Sequence, residues 1–416
     1  MKSNKRNNYS LTDVAKMKRA PQFATMVKPV GAACNLDCNY CYYRDKAEIY
    51  SGSMPRMSEE LLEEYIKQYL SSVAQKQVTF CWHGGEPLMA GMQFFKKAME
   101  LQRKYRGDKE IENTLQTNGL LLNEEWCALF RDNNFLIGIS LDGPQDIHDA
   151  YRRDCGGAAT FVKVVKAVEL MARCGVDYNL MATVNRRSEG RGLEVYKFLR
   201  SLGDFTQFLP VVEYVRDRQT EGKRPLIVSP DEEDAVEAEW SVSANGYGAF
   251  MCEIFDEWVK YDVGRHYVQL FEATLANWCG VQPGLCSLCE TCGDGLVVEH
   301  NGDVYSCDHF VYPEYRLGNI MRGSLVDMYK SDEQQAFGRD KREALPMECK
   351  RCNYYFLCRG ECPKHRFGYA TNGEPYKNVL CEGYKMFFRH SDPYMRYMKT
   401  LLDKGQPASL VMQWNR

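Results

Sequence analysis

The chain has no long apolar run, no excess of charge of one sign, no internal repeat beyond a simple alternation of elements, and no low-complexity segment. Phe135 to Leu141 is typical of its longest apolar stretches, far short of the ~18 residues of a membrane helix. A spanning helix is therefore excluded. The 53 basic and 56 acidic residues give a formal net charge of −3. That excludes a chain built to hold nucleic acid or an anionic membrane through bulk charge, though not a local basic patch. Residues 1–21 carry Lys2, Lys5, Arg6, Lys16, Lys18 and Arg19 without an apolar h-region, so no secretory start is expected.

Cysteine, by contrast, is abundant: 18 in 416 residues. Disulfide frameworks belong to small domains with weak cores, and this chain is long enough to bury a large core without them. The thiols are therefore expected in a reducing, cytoplasmic setting, engaged in metal or redox chemistry.

From residue 24 to about 212, short apolar runs alternate with amphipathic stretches. The pattern predicts strands at 24–30, 77–82, 111–117, 135–141, 177–184 and 205–212. A helix over 58–75 opens on Ser58 as N-cap with Glu59 and Glu60 in its first turn, and Asn123 before Glu124 and Glu125 opens another. Six such units predict an α/β fold with a parallel sheet, its strands near-continuously apolar because helices cover them. Six are too few for a closed eight-stranded barrel, so the expectation is a partial (β/α)6 TIM-type barrel with a lateral cleft. Residues 214–246 are polar, with Pro225, Pro230 and Asp231, and read as an insertion. Helices are expected at 247–260, 267–278 and 383–403, and Asn301-Gly302 marks a hairpin turn. The expected organisation is a polar segment 1–22, the barrel 23–213, insertion and linking helices 214–278, a cysteine-rich domain 279–382, and a C-terminal helix and tail 383–416.

Cys34, Cys38 and Cys41 follow the first strand with spacing Cys-x3-Cys-x2-Cys. Three thiolates on one loop can hold three irons of a [4Fe–4S] cluster and leave the fourth open to a chelating ligand. A zinc knuckle completed by His83 or another cysteine is the bland alternative. The segment KPVGAACNLDCNYCYY resembles the signature of radical S-adenosylmethionine enzymes. The resemblance implies that a cluster on these cysteines reduces S-adenosylmethionine to release a 5′-deoxyadenosyl radical, while the protein positions the substrate and excludes solvent. It also implies cofactor contacts. Gly84, Gly85 and Glu86, before Pro87, match the family motif at the amino group of the cofactor. Ser140 matches the ribose contact, Arg152 the partner of the cofactor carboxylate, and Leu209 and the Tyr40 backbone the adenine contacts. Taken singly, these residues read as a βα turn, a surface charge and a core leucine.

Eight more cysteines run Cys286-x5-Cys292-x14-Cys307 and Cys349-x2-Cys352-x5-Cys358-x3-Cys362, with Cys381 beyond. The order, with Gly302 in the turn before Cys307, resembles the SPASM extension of peptide-modifying radical enzymes. The family pattern implies two auxiliary [4Fe–4S] clusters, making three in all. Cys286, Cys292, Cys307 and Cys362 would hold one, and Cys349, Cys352, Cys358 and Cys381 the other. Cys289 rivals Cys286, and Cys279 is a weaker rival. Two zinc ribbons are the alternative. Of the remaining cysteines, Cys81, Cys127, Cys174 and Cys252 lie in strand or helix patterns and are expected to pack as small hydrophobes.

The region Phe23 to Tyr43 and the aspartate directly after Cys307 are similar to anaerobic sulfatase-maturating enzymes. The resemblance implies that Asp308 is the base for a thiol or hydroxyl of the substrate. A desolvated carboxylate beside a negative cluster is expected to have a raised pKa. The implied reaction converts a cysteine or serine of an unfolded sulfatase to Cα-formylglycine without oxygen, with a flavodoxin or ferredoxin as donor. The enzyme is expected to act as a monomer and to bind neither nucleic acid nor membrane. The alternatives are another SPASM peptide maturase forming thioether or carbon–carbon crosslinks, or a non-catalytic zinc-ribbon binding protein.

Overall fold

The computed structural model describes residues 22–50, 56–216, 226–230 and 232–414. The basic N-terminal residues, Pro225 and Asp231 lie outside the described residues. Six strands make the main sheet: β1 (Ala24–Val27), β2 (Gln77–Trp82), β3 (Glu110–Thr117), β4 (Phe135–Ser140), β5 (Asp177–Val184) and β6 (Phe205–Pro210). They lie in the order β6-β5-β4-β3-β2-β1, and every neighbouring pair is parallel. This is the expected partial barrel. Helices Glu59–Ser72, Met92–Tyr105, Glu124–Asp132, Phe161–Cys174 and Gly192–Arg200 return the chain between strands. Ser58 Oγ accepts from Leu61 N at 3.1 Å and Asn123 Oδ1 from Trp126 N at 3.0 Å, so both predicted N-caps satisfy an otherwise orphaned amide.

The strands alternate rather than being buried on both faces. Val78, Phe80 and Trp82 are buried against helix residues such as Tyr65 and Phe94. Thr79 and Cys81 between them are half-buried. The reason is the open barrel: one face packs on helices, and the other lines an interior that no closing strand fills. Gln116, Ser140, Thr183 and Leu209 share that inner, half-buried face.

Both edges of the six-stranded unit are extended by later segments. β10 (Tyr267–Val268) pairs parallel with β6. These two residues therefore extend the sheet, and the helix expected from 267 starts at Gln269. β11 (Gly295–Val298) pairs parallel with β1, and β12 (Asp303–Tyr305) and β13 (Arg316–Asn319) follow antiparallel, giving ten strands. The Asn301-Gly302 turn joins β11 to β12, with Gly302 at φ +87, a left-handed conformation that glycine adopts without strain. The β1 and β6 runs end at Val27 and Pro210, short of the predicted ends. Pro29 lacks an amide for the ladder, and so does Pro210. The described part of the polar insertion forms a small antiparallel sheet, β8 (Ile227–Val228), β7 (Tyr214–Arg216) and β9 (Ala235–Glu237).

Helices Ala244–Tyr261 and Cys381–Asp403 pack closely. A Cβ on Gly383 would lie 2.1 Å from Ala244 O, so glycine permits the approach. Cys127 is buried, while Cys81, Cys174 and Cys252 are half-buried. Among the described residues, no helix is long and apolar enough to cross a membrane.

Candidate active site between two cysteine sets

All 18 cysteines are free thiols. Cys34, Cys38 and Cys41 sit on the loop after β1. Burial pushes the Cys34 and Cys38 thiols up to about 12, and neighbouring thiols of the same loop add to the rise in each case. A metal bound between neighbouring thiols would offset the cost of ionising them together. The three therefore fit a metal cluster. Gly84 and Gly85 seat this loop. Gly85 N donates to Gly31 O and Glu86 N to Ala33 O, both at 2.8 Å. A Cβ on Gly85 would lie 2.1 Å from Ala33 O. Glu86 is buried, and its carboxylate accepts from Leu88 N at 3.0 Å, Asn118 N at 2.8 Å and Thr117 Oγ1 at 2.9 Å. Asn118 Nδ2 in turn donates to Asn35 Oδ1 at 2.7 Å. Glu86 thus ties the ends of β2 and β3 to the cysteine loop.

On the inner face, Ser140 Oγ accepts from Gln116 Nε2 at 3.0 Å. Leu209 stands opposite Thr183 in register. Arg152 is buried, with Nε 3.0 Å from Asp142 Oδ2. Asp142 also accepts from the Tyr40 hydroxyl and from Thr183 N at 3.0 Å. The Arg152 guanidinium lies 5.4 Å from the Tyr40 ring centroid and lowers the Cys38 thiol against its burial. Arg152 is therefore no surface charge. It is a cation clamped beside the cysteine loop by Asp142, a residue that sequence reasoning missed.

The later cysteines gather as two sets of four. Burial raises Cys307, and Cys286 and Cys292 add to the rise. Cys362 is pushed well up by burial, with Cys307 and Cys286 contributing. Cys292 feels Cys286 as well. Cys289 also acts on Cys286 and lies near Lys341 and Asp294. The second set is held together the same way: Cys358 is raised by burial and then by Cys381 and Cys349, and Cys349 by Cys352. Cys349, Cys352, Cys358 and Cys381 line one cavity. Among the described residues, no three His, Cys, Asp or Glu side chains stand at the distances of a single bound metal ion.

Asp308 joins the first loop to the first four-thiol set. One of its oxygens accepts from the hydroxyl of Tyr42, the residue after Cys41. The other pairs with Lys28 Nζ. Lys28 is fully buried at the end of β1, 3.3 Å from His83 Nδ1 and 3.9 Å from the Tyr43 ring centroid. The expected rise in the Asp308 pKa is not found. Burial alone would raise it, but Lys28 above all holds the carboxyl well below its ordinary range. His83 and His309 also face it, yet burial lowers them to about 4 and about 3, so Lys28 supplies the charge. His309 Nδ1 is 3.4 Å from Cys362 Sγ. Nearby, Lys364 pairs with buried Glu213 and lies 4.2 Å from the Tyr42 ring centroid. Lys46 sits over the Tyr312 ring at 3.0 Å, and burial followed by Lys364 lowers it to about 7. Lys28 and Tyr42 were not singled out from sequence. A lone lysine in the otherwise apolar MVKPV run was the available signal.

Fold and thiol sets together define a radical S-adenosylmethionine enzyme with a SPASM extension. Family profiles agree: the radical SAM superfamily matches residues 29–199, and the iron–sulfur cluster-binding SPASM domain matches residues 286–353. The serine-type anaerobic sulfatase-maturating enzyme of Bacteroides thetaiotaomicron is 49% identical, over 93% of this chain and 94% of its own. The cysteine-type enzyme of Clostridium perfringens is 31% identical over 90% of this chain and 97% of its own. Native anSMEcpe, solved with bound AdoMet and Cp18Cys peptide, is 30% identical with a TM-score of 0.78, covering 91% of this chain and 99% of that one. The chain belongs to the anaerobic sulfatase-maturating enzymes.

Proposed function

We propose that this enzyme oxidises a serine in an unfolded sulfatase segment to Cα-formylglycine without oxygen. The observation that carries the reading is Asp308, held between the Cys34–Cys41 loop and the Cys286, Cys292, Cys307 and Cys362 set. The serine preference rests on the serine-type relative at 49% identity, against 31% for a cysteine-type one. When bound, S-adenosylmethionine and the iron–sulfur clusters supply a 5′-deoxyadenosyl radical that abstracts hydrogen, and they accept the electron left behind.

The residues of the chain do the rest. Cys34, Cys38 and Cys41 hold the radical cluster, and the two four-thiol sets hold the auxiliary ones, with Cys286 rather than Cys289 as the ligand. Ser140, Leu209, Tyr40 and the Gly84-Gly85 turn line the cofactor pocket. Arg152, oriented by Asp142, gives it positive charge, and Glu86 keeps the turn in place. Asp308 accepts the hydroxyl proton of the substrate. Loss of the Cβ hydrogen makes that proton more acidic, so a carboxylate that Lys28 keeps ionised suffices as acceptor. Asp308 is half-buried, its side chain 15% exposed, so it is held in place yet open to a substrate hydroxyl. A reduced flavodoxin or ferredoxin is the donor, and the enzyme works as a monomer in the cytoplasm.

The test is anaerobic incubation of reconstituted enzyme with S-adenosylmethionine, dithionite and sulfatase-derived peptides carrying serine or cysteine. The serine peptide should lose two hydrogens and gain a hydrazine-reactive aldehyde. Loss of two hydrogens without hydrazine reactivity would indicate a crosslinking maturase instead, and conversion of the cysteine peptide alone would overturn the serine preference.

A further inference from the structure

Two buried cations, Lys341 and Arg366, lie among the C-terminal thiols, and the proton transfer at Asp308 uses neither. Both are bonded to carbonyls, and neither pairs with a carboxylate among the described residues. Lys341 Nζ donates to Cys286 O at 2.6 Å and Ser287 O at 2.8 Å. Arg366 Nε donates to Gly360 O at 2.8 Å and Nη1 to Lys341 O at 2.5 Å. Its Nη2 donates to Arg359 O at 3.0 Å and Glu361 O at 2.9 Å.

The seat of Arg366 is the stretch between Cys358 of the second set and Cys362 of the first. Arg359, Gly360 and Glu361 have φ of +50, +75 and +54. Residues with a side chain rarely adopt this left-handed conformation even singly. Here three residues adopt it in succession, with all three carbonyls on the guanidinium. A Cβ on Gly360 would lie 2.6 Å from Arg366 Nη2, so glycine makes room for the cation. Backbone strain is thus spent on seating a charge where the two sets join.

The two cations act on the thiols unequally. Burial raises Cys292 in the first set and Cys349 in the second, and Arg366 offsets it in both. Lys341 offsets the burial of Cys286 and Cys292, both of the first set. The carboxylate of Glu361 faces both cations, but it is held by His365 Nδ1 at 3.0 Å and Asn378 Nδ2 at 2.7 Å.

We propose that Lys341 and Arg366 raise the reduction potential of the auxiliary cluster on Cys286, Cys292, Cys307 and Cys362, fitting it to take the substrate's electron. The inference rests on the reading of the C-terminal cysteines as cluster ligands. A fixed cation beside a cluster stabilises its reduced, more negative form, and an arginine keeps its charge when buried. The substrate radical, its hydroxyl proton passed to Asp308, is oxidised by one electron to the carbonyl, and that electron reduces the cluster.

The test is an EPR-monitored redox titration of the full chain carrying Cys34→Ala, Cys38→Ala and Cys41→Ala, so that only the auxiliary clusters give signals. Lys341→Gln, added to this chain, keeps N–H donors and removes the charge. It should lower the potential of one cluster by about 59 mV, a tenfold change in a one-electron equilibrium. Lys341→Arg should stay near the parental value. With the three cysteines restored, Lys341→Gln should form 5′-deoxyadenosine at the parental rate while kcat for aldehyde falls and the KM for peptide holds. Parental potentials in Lys341→Gln, or an equal fall in both lysine variants, would overturn the proposal. Should Lys341→Gln cost iron, Glu361→Gln decides: loss of the opposing carboxylate should raise the potential, and an unchanged value overturns the proposal. Failure of the underlying readings shows separately in the unmodified enzyme. Iron well below about twelve per chain would defeat the cluster reading, and cofactor cleavage without aldehyde the formylglycine reading.

Discussion

Replacing Gly85 by alanine puts a carbon where the backbone of the Cys34 loop already sits. The new Cβ would lie 2.1 Å from Ala33 O and 2.6 Å from Ala32 O, roughly 1 Å or more inside van der Waals contact. No side chain can yield there, because both atoms are backbone. The turn and loop must separate, which breaks Gly85 N to Gly31 O and Glu86 N to Ala33 O. Counting only the two amide donors, each left unpaired at about 1–3 kcal/mol, the cost is at least about 2–6 kcal/mol. A ligand set also tolerates only about 0.5 Å of misplacement. The strain falls on Cys34, next to Ala33, and leaves the C-terminal thiol sets alone. Anaerobically reconstituted Gly85→Ala enzyme should therefore lose one cluster of three, about four of about twelve irons per chain. Iron and sulfide analysis reads this directly, and S-adenosylmethionine cleavage should fall with it. A Gly85→Ala enzyme with full iron and parental cofactor cleavage would show that the Gly84-Gly85 turn does not set the Cys34 loop.

Cys286→Ala should remove about four irons per chain and Cys289→Ala none, and the reverse pattern would reassign the ligand. Lys28→Met leaves the Asp308 carboxylate buried without its cation and should destabilise the folded state by about 3–5 kcal/mol. The double variant Lys28→Met/Asp308→Asn should recover much of that loss in anaerobic denaturant unfolding, and strictly additive losses would show that the pair is not coupled. Asp308→Asn should cleave S-adenosylmethionine at the parental rate while aldehyde formation falls by about 10²–10⁴-fold. Aldehyde at the parental rate would remove Asp308 from the proton transfer.

The parts of this structure legible in sequence are those whose physics is local. Ser58 and Asn123 cap helices a few bonds away, and the cysteine spacings reflect ligands on short loops. The βα alternation was visible because amphipathic periodicity repeats within each unit. What escaped depends on contacts between distant residues. Tyr42 meets Asp308 across 266 positions, and Tyr40 meets Asp142 across 102. The pairing of β11 with β1 and the two-residue strand β10 leave no periodic trace. The expected rise in the Asp308 pKa failed for the same reason. Its burial was foreseen, but the lysine that outweighs it comes from the other end of the chain. Cys286 and Cys289 are rivals in sequence because both shortly precede Cys292, and that Cys286 acts on Cys362, 76 positions on, could not be read from spacing.

In the proposed reaction, hydrogen leaves the Cβ of a substrate serine and the serine becomes formylglycine. A sulfatase-derived peptide with its serine Cβ deuterated, turned over anaerobically, tests both halves at once. Deuterium is expected in 5′-deoxyadenosine, formed together with a hydrazine-reactive aldehyde in the peptide. Unlabelled 5′-deoxyadenosine, or label transfer without an aldehyde, would contradict it.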